Sequence, residues 1–197
     1  MTGQENIVYQ GKIIEVVQQT RKTGDTEKLF EFARRSPGTR LIIRSDDKIL
    51  LTKEYRTETD NWDFRLPGGK VFDTLEEYNR FLSSGQDILP QAIEAAKKEA
   101  REEVGIEVEE INHVWTSING ATVVWDLFYF EVSKFKQLPS QNLEAGEEIE
   151  TSWVTLAKAK EIALSGQMQE DRSVAVLLRY LHSKGVHNLI RIVTQKS

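Results

Sequence analysis

The stretch "EAAKKEAREEVGI", residues 94–106, decides the fold because it gathers acidic side chains where a helix is expected to end. Glu99, Glu102 and Glu103 are three and four residues apart, so a helix would place them on one face, where like charges repel. Gly105 predicts the helix stop. The C-terminal end of a helix already carries partial negative charge, so the macrodipole also opposes this arrangement. The glutamates therefore need a further reason to be together.

Bulk composition excludes several classes of protein. A chain of 197 residues, 39% hydrophobic and 29% charged, is typical of one soluble domain with a substantial core. The absence of cysteine excludes disulfides and thiolate sites. The net charge of -5 argues against nonspecific binding to nucleic acid or to an anionic membrane. The sequence starts without a signal-peptide pattern and has no apolar run of membrane-spanning length, so we expect a cytoplasmic protein with no nucleic-acid or membrane partner.

Breaks and periodicity predict the order of the elements. The turn at Pro37-Gly38 suggests an N-terminal strand segment, residues 1–36, before a main fold over residues 37–197, although one continuous sheet is an equal alternative. A capping box at Thr74 predicts a helix within an inserted segment, residues 72–89, and a second helix follows over residues 89–104. Strand patterns then lead to two final helices. This order predicts a mixed α/β sandwich, an α+β arrangement.

The second helix has a stripe of small apolar residues that includes Ala96 and Ala100. Charge runs are often solvated helix faces, and Lys98 can pair with Glu102. Glu99 and Glu103, however, adjoin the stripe and would be partly buried, so they need a partner. Mg²⁺ or Mn²⁺ is the natural partner for such carboxylates. The earlier "RLPGGK", residues 65–70, contains two glycines that let the backbone approach a ligand, and a carbonyl there can complete a metal shell.

Together these features resemble the signature of the Nudix hydrolase superfamily. The family helix reads Arg-Glu-apolar-x-Glu-Glu-x-Gly-apolar, and residues 98–106 here read Lys-Glu-Ala-Arg-Glu-Glu-Val-Gly-Ile after a typical "LPGGK". The resemblance covers residues 37–183 and implies an α/β/α sandwich with a mixed sheet. It also implies metal-assisted attack of water on the diphosphate of a nucleoside diphosphate linked to another moiety. The expected metal ligands are the Gly68 carbonyl, Glu99, Glu102 and Glu103, and Glu102 and Glu103 are also expected to be catalytic.

Two departures from the family pattern keep other functions open. Lys98 stands where the signature has an arginine, and Pro90 stands where it has an earlier glutamate. Lysine keeps the charge but loses the forked guanidinium. One alternative is a regulatory protein that binds a nucleotide sugar without cleaving it. Another is a pyrophosphohydrolase of nucleoside triphosphates.

Within the superfamily, the layout resembles the ADP-ribose pyrophosphatase group, which has an N-terminal strand segment and a similar C-terminal helix. The resemblance implies a homodimer whose N-terminal segment helps to close the substrate pocket. It implies substrate-binding roles for Arg56, Arg65 and Gly69, although Arg65 replaces a glutamate common in that group. The general base is expected in the loop "NLEAGEEIETSWV". The candidates for that base are Glu144, Glu147 and Glu148, and the candidates for stacking on a nucleotide base are Trp62, Trp115 and Trp125.

Overall fold

The computed structural model describes residues 5–57, 59–143 and 148–185. The strands are β1 (Glu5–Gln10), β2 (Glu15–Thr23), β3 (Thr26–Arg34), β4 (Gly38–Ser45), β5 (Lys48–Arg56), β6 (Asn61–Arg65), β7 (Ile106–Ser117), β8 (Val123–Val124), β9 (Leu127–Gln137) and β10 (Ile149–Thr155). The helices are α1 (Leu75–Ser84), α2 (Leu89–Val104), α3 (Leu156–Leu164) and α4 (Asp171–Ser183). None of these helices combines the length and apolarity that a membrane crossing requires.

The strands form two sheets. The first has the order β1-β2-β3-β8 and contains the strands of the N-terminal segment. The second has the order β10-β5-β4-β9-β7, with β6 paired to β5. In this second sheet β4 runs parallel to β9, whereas β5 and β7 are antiparallel to their neighbours. The mixed sheet expected from the sequence is therefore confirmed.

Strand β4 lies at the centre of the sandwich and is apolar on both faces. Leu41 and Ile43 pack with the small residues of α2, and the intervening Ile42 packs with α3 and α4 on the other face. Successive strand residues point to opposite faces, so a continuous apolar run is what a doubly covered strand requires. The expected α/β/α sandwich is confirmed, with α2 on one side and the two last helices on the other.

Helix α2 spans the residues expected from the sequence and ends at Gly105, which adopts the left-handed conformation with φ 63°. Ala92, Ala96 and Ala100 are each 0% exposed. Because the alanine side chain is small, the backbone of α2 can lie close to β4. The side chains that flank the alanine stripe then lie at the rim of the core. That is how the helix presents Glu99 and Glu103.

Helix α1 lies in the inserted segment and carries the expected capping box, in which the Thr74 hydroxyl accepts from the Glu77 N–H and Glu77 in turn accepts from the Thr74 N–H. Its Asn79 donates to Glu15 Oε2 on β2 over 2.9 Å. Glu15 is fully buried and also accepts from Arg34 over 2.7 Å. The insertion is therefore tied to the N-terminal sheet.

One strand expected from the sequence is two strands in the structure. The apolar run over residues 121–135 breaks at Trp125-Asp126, where β8 ends and β9 begins. Val123 and Val124 leave the central sheet to pair with the end of β3. The break places Trp125 at the junction of the two sheets.

Candidate active site

A cavity of about 300 Å³ opens where α2 meets the turn after β6. Its wall combines six basic and five acidic side chains, which suits a ligand that carries both anionic groups and a bound cation. The wall is formed by Arg35, Gly38, Arg40, Glu54, Arg56, Arg65, Gly68, Gly69, Lys70, Asp73, Lys98, Glu99, Glu102, Glu103, Trp125 and Leu127.

Gly68 brings the turn against both β4 and α2. Its N–H donates to Glu103 Oε2 over 2.7 Å. Its φ is 143°, a conformation open mainly to glycine, and a Cβ there would lie 2.2 Å from the carbonyl oxygen of Thr39. The backbone at Gly68 therefore lies close to the neighbouring strand β4, and the approach of this turn to a ligand stays a prediction.

Gly69 makes room for the second carboxylate of α2. A Cβ at Gly69 would lie 1.9 Å from Glu99 Oε1, so the carboxylate of Glu99 rests against the glycine backbone. Glu99 and Glu103 are both half-buried. They thus meet at two consecutive residues of one turn, as expected for a site built from a glycine turn and an acidic helix.

Glu102 faces a different environment. Its Oε2 lies 3.6 Å from Nζ of Lys98, the i,i+4 pair expected from the sequence. The ion pair offsets part of the repulsion among the three glutamates. It also shows that Lys98, in place of the family's arginine, contacts Glu102.

The donor set at this turn suits a hard cation. Carboxylate and carbonyl oxygens are the ligands that Mg²⁺ prefers, and water and substrate phosphate normally complete its shell. Within the described ranges, no three acidic or histidine side chains are grouped as a finished ligand set. Glu99, Glu103 and the Gly68 carbonyl therefore stay predicted ligands, and the remaining ligands would come from solvent and substrate.

A buried ion pair lies beneath the cavity. Arg40 donates from Nε and Nη2 to the two carboxylate oxygens of Glu170, over 2.8 and 2.7 Å. Glu170 also accepts from the Ser173 hydroxyl and, over 3.3 Å, from Arg65 Nη2. Burial alone would raise the pKa of Glu170, but the hydrogen bonds and charge of Arg40, helped by Ser173 and Arg65, lower it to about 2. Glu170 is therefore ionised at neutral pH.

The two arginines expected to bind substrate both line the cavity, and protein carboxylates surround both. Arg56 Nη1 lies 2.7 Å from Glu54 Oε1. Arg65 lies within 3.8 Å of Glu54, 3.6 Å of Asp63 and 3.3 Å of Glu170. Burial, followed by the charge of Arg40, lowers the pKa of Arg65. Much of the positive charge of these two residues is thus already compensated.

Arg35 is a cavity residue that the sequence did not single out. Its guanidinium carbon lies 4.3 Å from the centre of the Trp125 ring. Its neighbour Arg34 instead pairs with Glu5 and Glu15 of the N-terminal sheet. Alternation of side chains at a strand end could have separated the two arginines. Nothing in the sequence, however, showed that Trp125 would leave the central sheet and meet Arg35.

Seven of the sequence-predicted site residues line this one cavity: Arg56, Arg65, Gly68, Gly69, Glu99, Glu102 and Glu103. Their chemical roles stay predictions. Glu144 and Glu147 lie outside the described residues, and Glu148 is exposed. Of the three tryptophan candidates, Trp125 lines the cavity, whereas Trp62 contacts Tyr55 and Trp115 contacts Arg179.

Comparisons with known proteins agree with this geometry. The model of the NUDIX domain matches residues 34–176. A CMP-5'-(N-acetyl-N-hydroxy-3-aminopropyl)phosphonate hydrolase of Streptomyces rubellomurinus is 26% identical over 179 residues, covering 90% of this chain and 80% of that protein. A GDP-mannose pyrophosphatase of Citrobacter koseri is 26% identical over 173 residues and covers 85% of each chain. A crystal structure of an ADP compounds hydrolase shares the fold, with a TM-score of 0.66, 16% identity and coverage of 94% and 95%.

Proposed function

The chain belongs to the NUDIX domain family as a hydrolase of nucleoside diphosphates linked to another moiety, and we propose that this moiety is a sugar. ADP-ribose or a related nucleotide sugar is the proposed substrate. The names of the relatives, which include a GDP-mannose pyrophosphatase, support a nucleotide sugar. The observation that carries the proposal is the meeting of Glu99 and Glu103 at Gly68-Gly69 inside a cavity rich in arginine.

We propose Mg²⁺ or Mn²⁺ as the cofactor, held by Glu99, Glu103 and the Gly68 carbonyl, with Glu102 assisting. When bound, such a cation neutralises charge on the diphosphate and activates a water molecule. The half-buried carboxylates keep their acceptor oxygens directed to the turn, where the Gly68 N–H orients Glu103. Glu102 and Glu103 act as catalytic residues in this proposal, and Glu144 or Glu147 supplies the general base.

The remaining wall of the cavity would hold the substrate. Arg56 and Arg65 contact the nucleotide in this proposal, and the backbone of Gly69 lets the diphosphate approach α2. Because Glu54, Asp63 and Glu170 hold the two guanidiniums in place, less side-chain entropy is lost on binding. Preorganised donors of this kind suit a ligand that must be aligned with attacking water.

We also propose a homodimer formed through the N-terminal segment, residues 1–36, beside a hydrolase domain over residues 37–197. The described part of that segment exposes large apolar side chains, including Ile7, Tyr9 and Leu29. Apolar patches on a sheet often mark an interface between proteins. A cytoplasmic location and the absence of a nucleic-acid partner stay predictions from the sequence.

A product assay tests the proposed function. ADP-ribose, other nucleotide sugars, dinucleotides and nucleoside triphosphates are incubated with the protein, with Mg²⁺, with Mn²⁺ or with a chelator. We expect metal-dependent release of a nucleoside monophosphate and a sugar phosphate. Release of inorganic pyrophosphate from triphosphates would favour the alternative activity, and binding without any product would favour a regulatory protein.

Glu103→Gln is the variant that connects the assay to the site. Loss of a ligand charge should lower kcat by at least the roughly 10–100-fold that loss of an outer-shell partner costs, while the fold is retained. Glu94→Gln is the matched control, because Glu94 is an exposed residue of the same helix that pairs with Lys97. Full activity of Glu103→Gln would contradict the assignment of this helix as the catalytic one.

A further inference from the structure

Arg35 differs from the other arginines of the cavity in its charge balance. Arg40 pairs with Glu170, Arg56 with Glu54, and Arg65 lies among three carboxylates. Arg35 is half-buried, yet no carboxylate in residues 5–57, 59–143 or 148–185 forms an ion pair with it. An unpaired charge in a partly buried position is unfavourable unless a ligand or solvent compensates it.

The guanidinium of Arg35 is nevertheless fixed in place. It stacks on Trp125, whose ring is also covered by Arg172, with the guanidinium carbon 5.1 Å from the ring centre. Arg172 is anchored by hydrogen bonds to the Trp125 carbonyl over 2.8 Å and to the Ser117 hydroxyl over 3.0 Å. Trp125 is thus a platform for one face of Arg35, and among the described residues no side chain forms an ion pair with the N–H edge of its guanidinium. Stacked arginines with a free edge are well suited to binding phosphate.

The local field also favours an anion at this position. Burial lowers the pKa of Arg35, and the positive charge of Arg40 lowers it further, while Glu170 acts in the opposite direction. Glu170 is itself engaged in two hydrogen bonds from Arg40. A phosphate oxygen would supply the counter-charge that the described residues do not give to Arg35.

We propose that Arg35, held on Trp125, binds a phosphate of the substrate's diphosphate, in addition to the contacts proposed for Arg56 and Arg65. The proposal rests on the proposed function, since it assumes a diphosphate ligand. It separates the arginines by role: Arg40 stabilises the floor of the cavity, whereas Arg35 contacts the ligand directly.

The test is calorimetric titration of inorganic pyrophosphate into the full-length protein, with a chelator present so that no metal contributes. We expect Arg35→Gln to bind pyrophosphate about tenfold more weakly or worse, because it loses a charge-assisted contact. Arg35→Lys should give an intermediate affinity, because it keeps the charge but loses the fork and the stacking. The melting temperature of Arg35→Gln should equal or exceed that of the wild type, because an unpaired half-buried cation is removed.

Arg179→Gln is the matched control for the titration. Arg179 also stacks on a tryptophan, 4.9 Å from the ring centre of Trp115, but it lies outside this cavity. Its replacement removes the same charge and should leave pyrophosphate binding unchanged. Equal affinities of Arg35→Gln and wild type would overturn the proposal, as would a wild type that does not bind pyrophosphate.

The titration tests the role of Arg35 and the product assay tests the proposed hydrolysis, so either claim can be contradicted while the other stands. If the wild type cleaves nucleotide sugars but Arg35→Gln binds pyrophosphate normally, only the role of Arg35 is wrong. If pyrophosphate binding depends on Arg35 but no substrate in the panel is cleaved, only the proposed hydrolysis is wrong.

Discussion

Gly68 and Gly69 need to be glycine for different physical reasons, and their alanine variants should therefore differ. Gly68→Ala places a Cβ 2.2 Å from the Thr39 carbonyl at φ 143°, so backbone must move, and we expect a loss of stability of about 1–3 kcal/mol or more. Gly69→Ala meets the movable end of Glu99 at 1.9 Å, so the carboxylate is displaced while the fold survives. Thermal melts and kcat for both variants check this. A stable, fully active Gly69→Ala would show that Glu99 is not needed at the turn.

Glu170 gives the protein a specific dependence of stability on pH. Its pKa in the folded protein is about 2, below the ordinary 4.5, so the ionised form is favoured by folding. The resulting stabilisation, about 3 kcal/mol, is fully present above the ordinary pKa and is lost as pH falls through the folded value. We expect Glu170→Gln to be less stable at pH 7 and to lose less stability between pH values of about 5 and 2. Chemical denaturation across this range is the measurement, and parallel curves for the two proteins would contradict the prediction.

At the scale of elements, the hydrogen bond from Asn79 to Glu15 ties the insertion to the N-terminal sheet, so the contribution of this contact can be tested with one side chain. Asn79→Ala removes one donor from the buried carboxylate of Glu15, which still accepts a hydrogen bond from Arg34. We expect the free energy of unfolding to fall by about 1–3 kcal/mol. The melting temperature should fall by several degrees while kcat is unchanged. Ser83→Ala is the control, since the Ser83 hydroxyl contacts the Asn79 carbonyl within its own helix. Equal melting temperatures for the two variants would indicate that α1 is held by other contacts.

The sequence predicted the elements whose signals are local and missed the contacts that depend on topology. Helix α2 and the cap at Thr74 followed from periodicity and capping chemistry, which act over a few residues. The division between β8 and β9 did not, because the run "ATVVWDLFYF" is apolar or aromatic on both sides of Asp126, and one polar residue does not by itself predict a break. The partner of Arg40 is Glu170 at the N-cap of α4, and the partner of Arg35 is Trp125; no short-range pattern connects these residues.

At the scale of the whole molecule, the exposed apolar surface predicts association. Tyr9 on β1 is 58% exposed and Leu29 on β3 is 63% exposed, and both strands belong to the N-terminal sheet. A double substitution of both by lysine should convert a dimer into a monomer, because burying two charges in an interface is unfavourable. Light scattering after size-exclusion chromatography measures the mass. Ile118→Lys is the control, since Ile118 is 73% exposed outside this sheet, and a wild type that is already monomeric would contradict the prediction.

The pair of Arg40 and Glu170 also determines when the cavity can be completed as the chain folds. The two residues are 130 positions apart, so their contact belongs to the slow, entropically costly class of long-range closures. During synthesis, the turn at Gly68-Gly69 and α2 are made well before α4 exists, and until then Arg40 lacks its counter-ion. A nascent chain that stops before residue 170 can therefore carry the whole acidic helix and still have an unfinished binding site. We therefore expect the binding site to be completed late in folding, when α4 docks and Glu170 reaches Arg40.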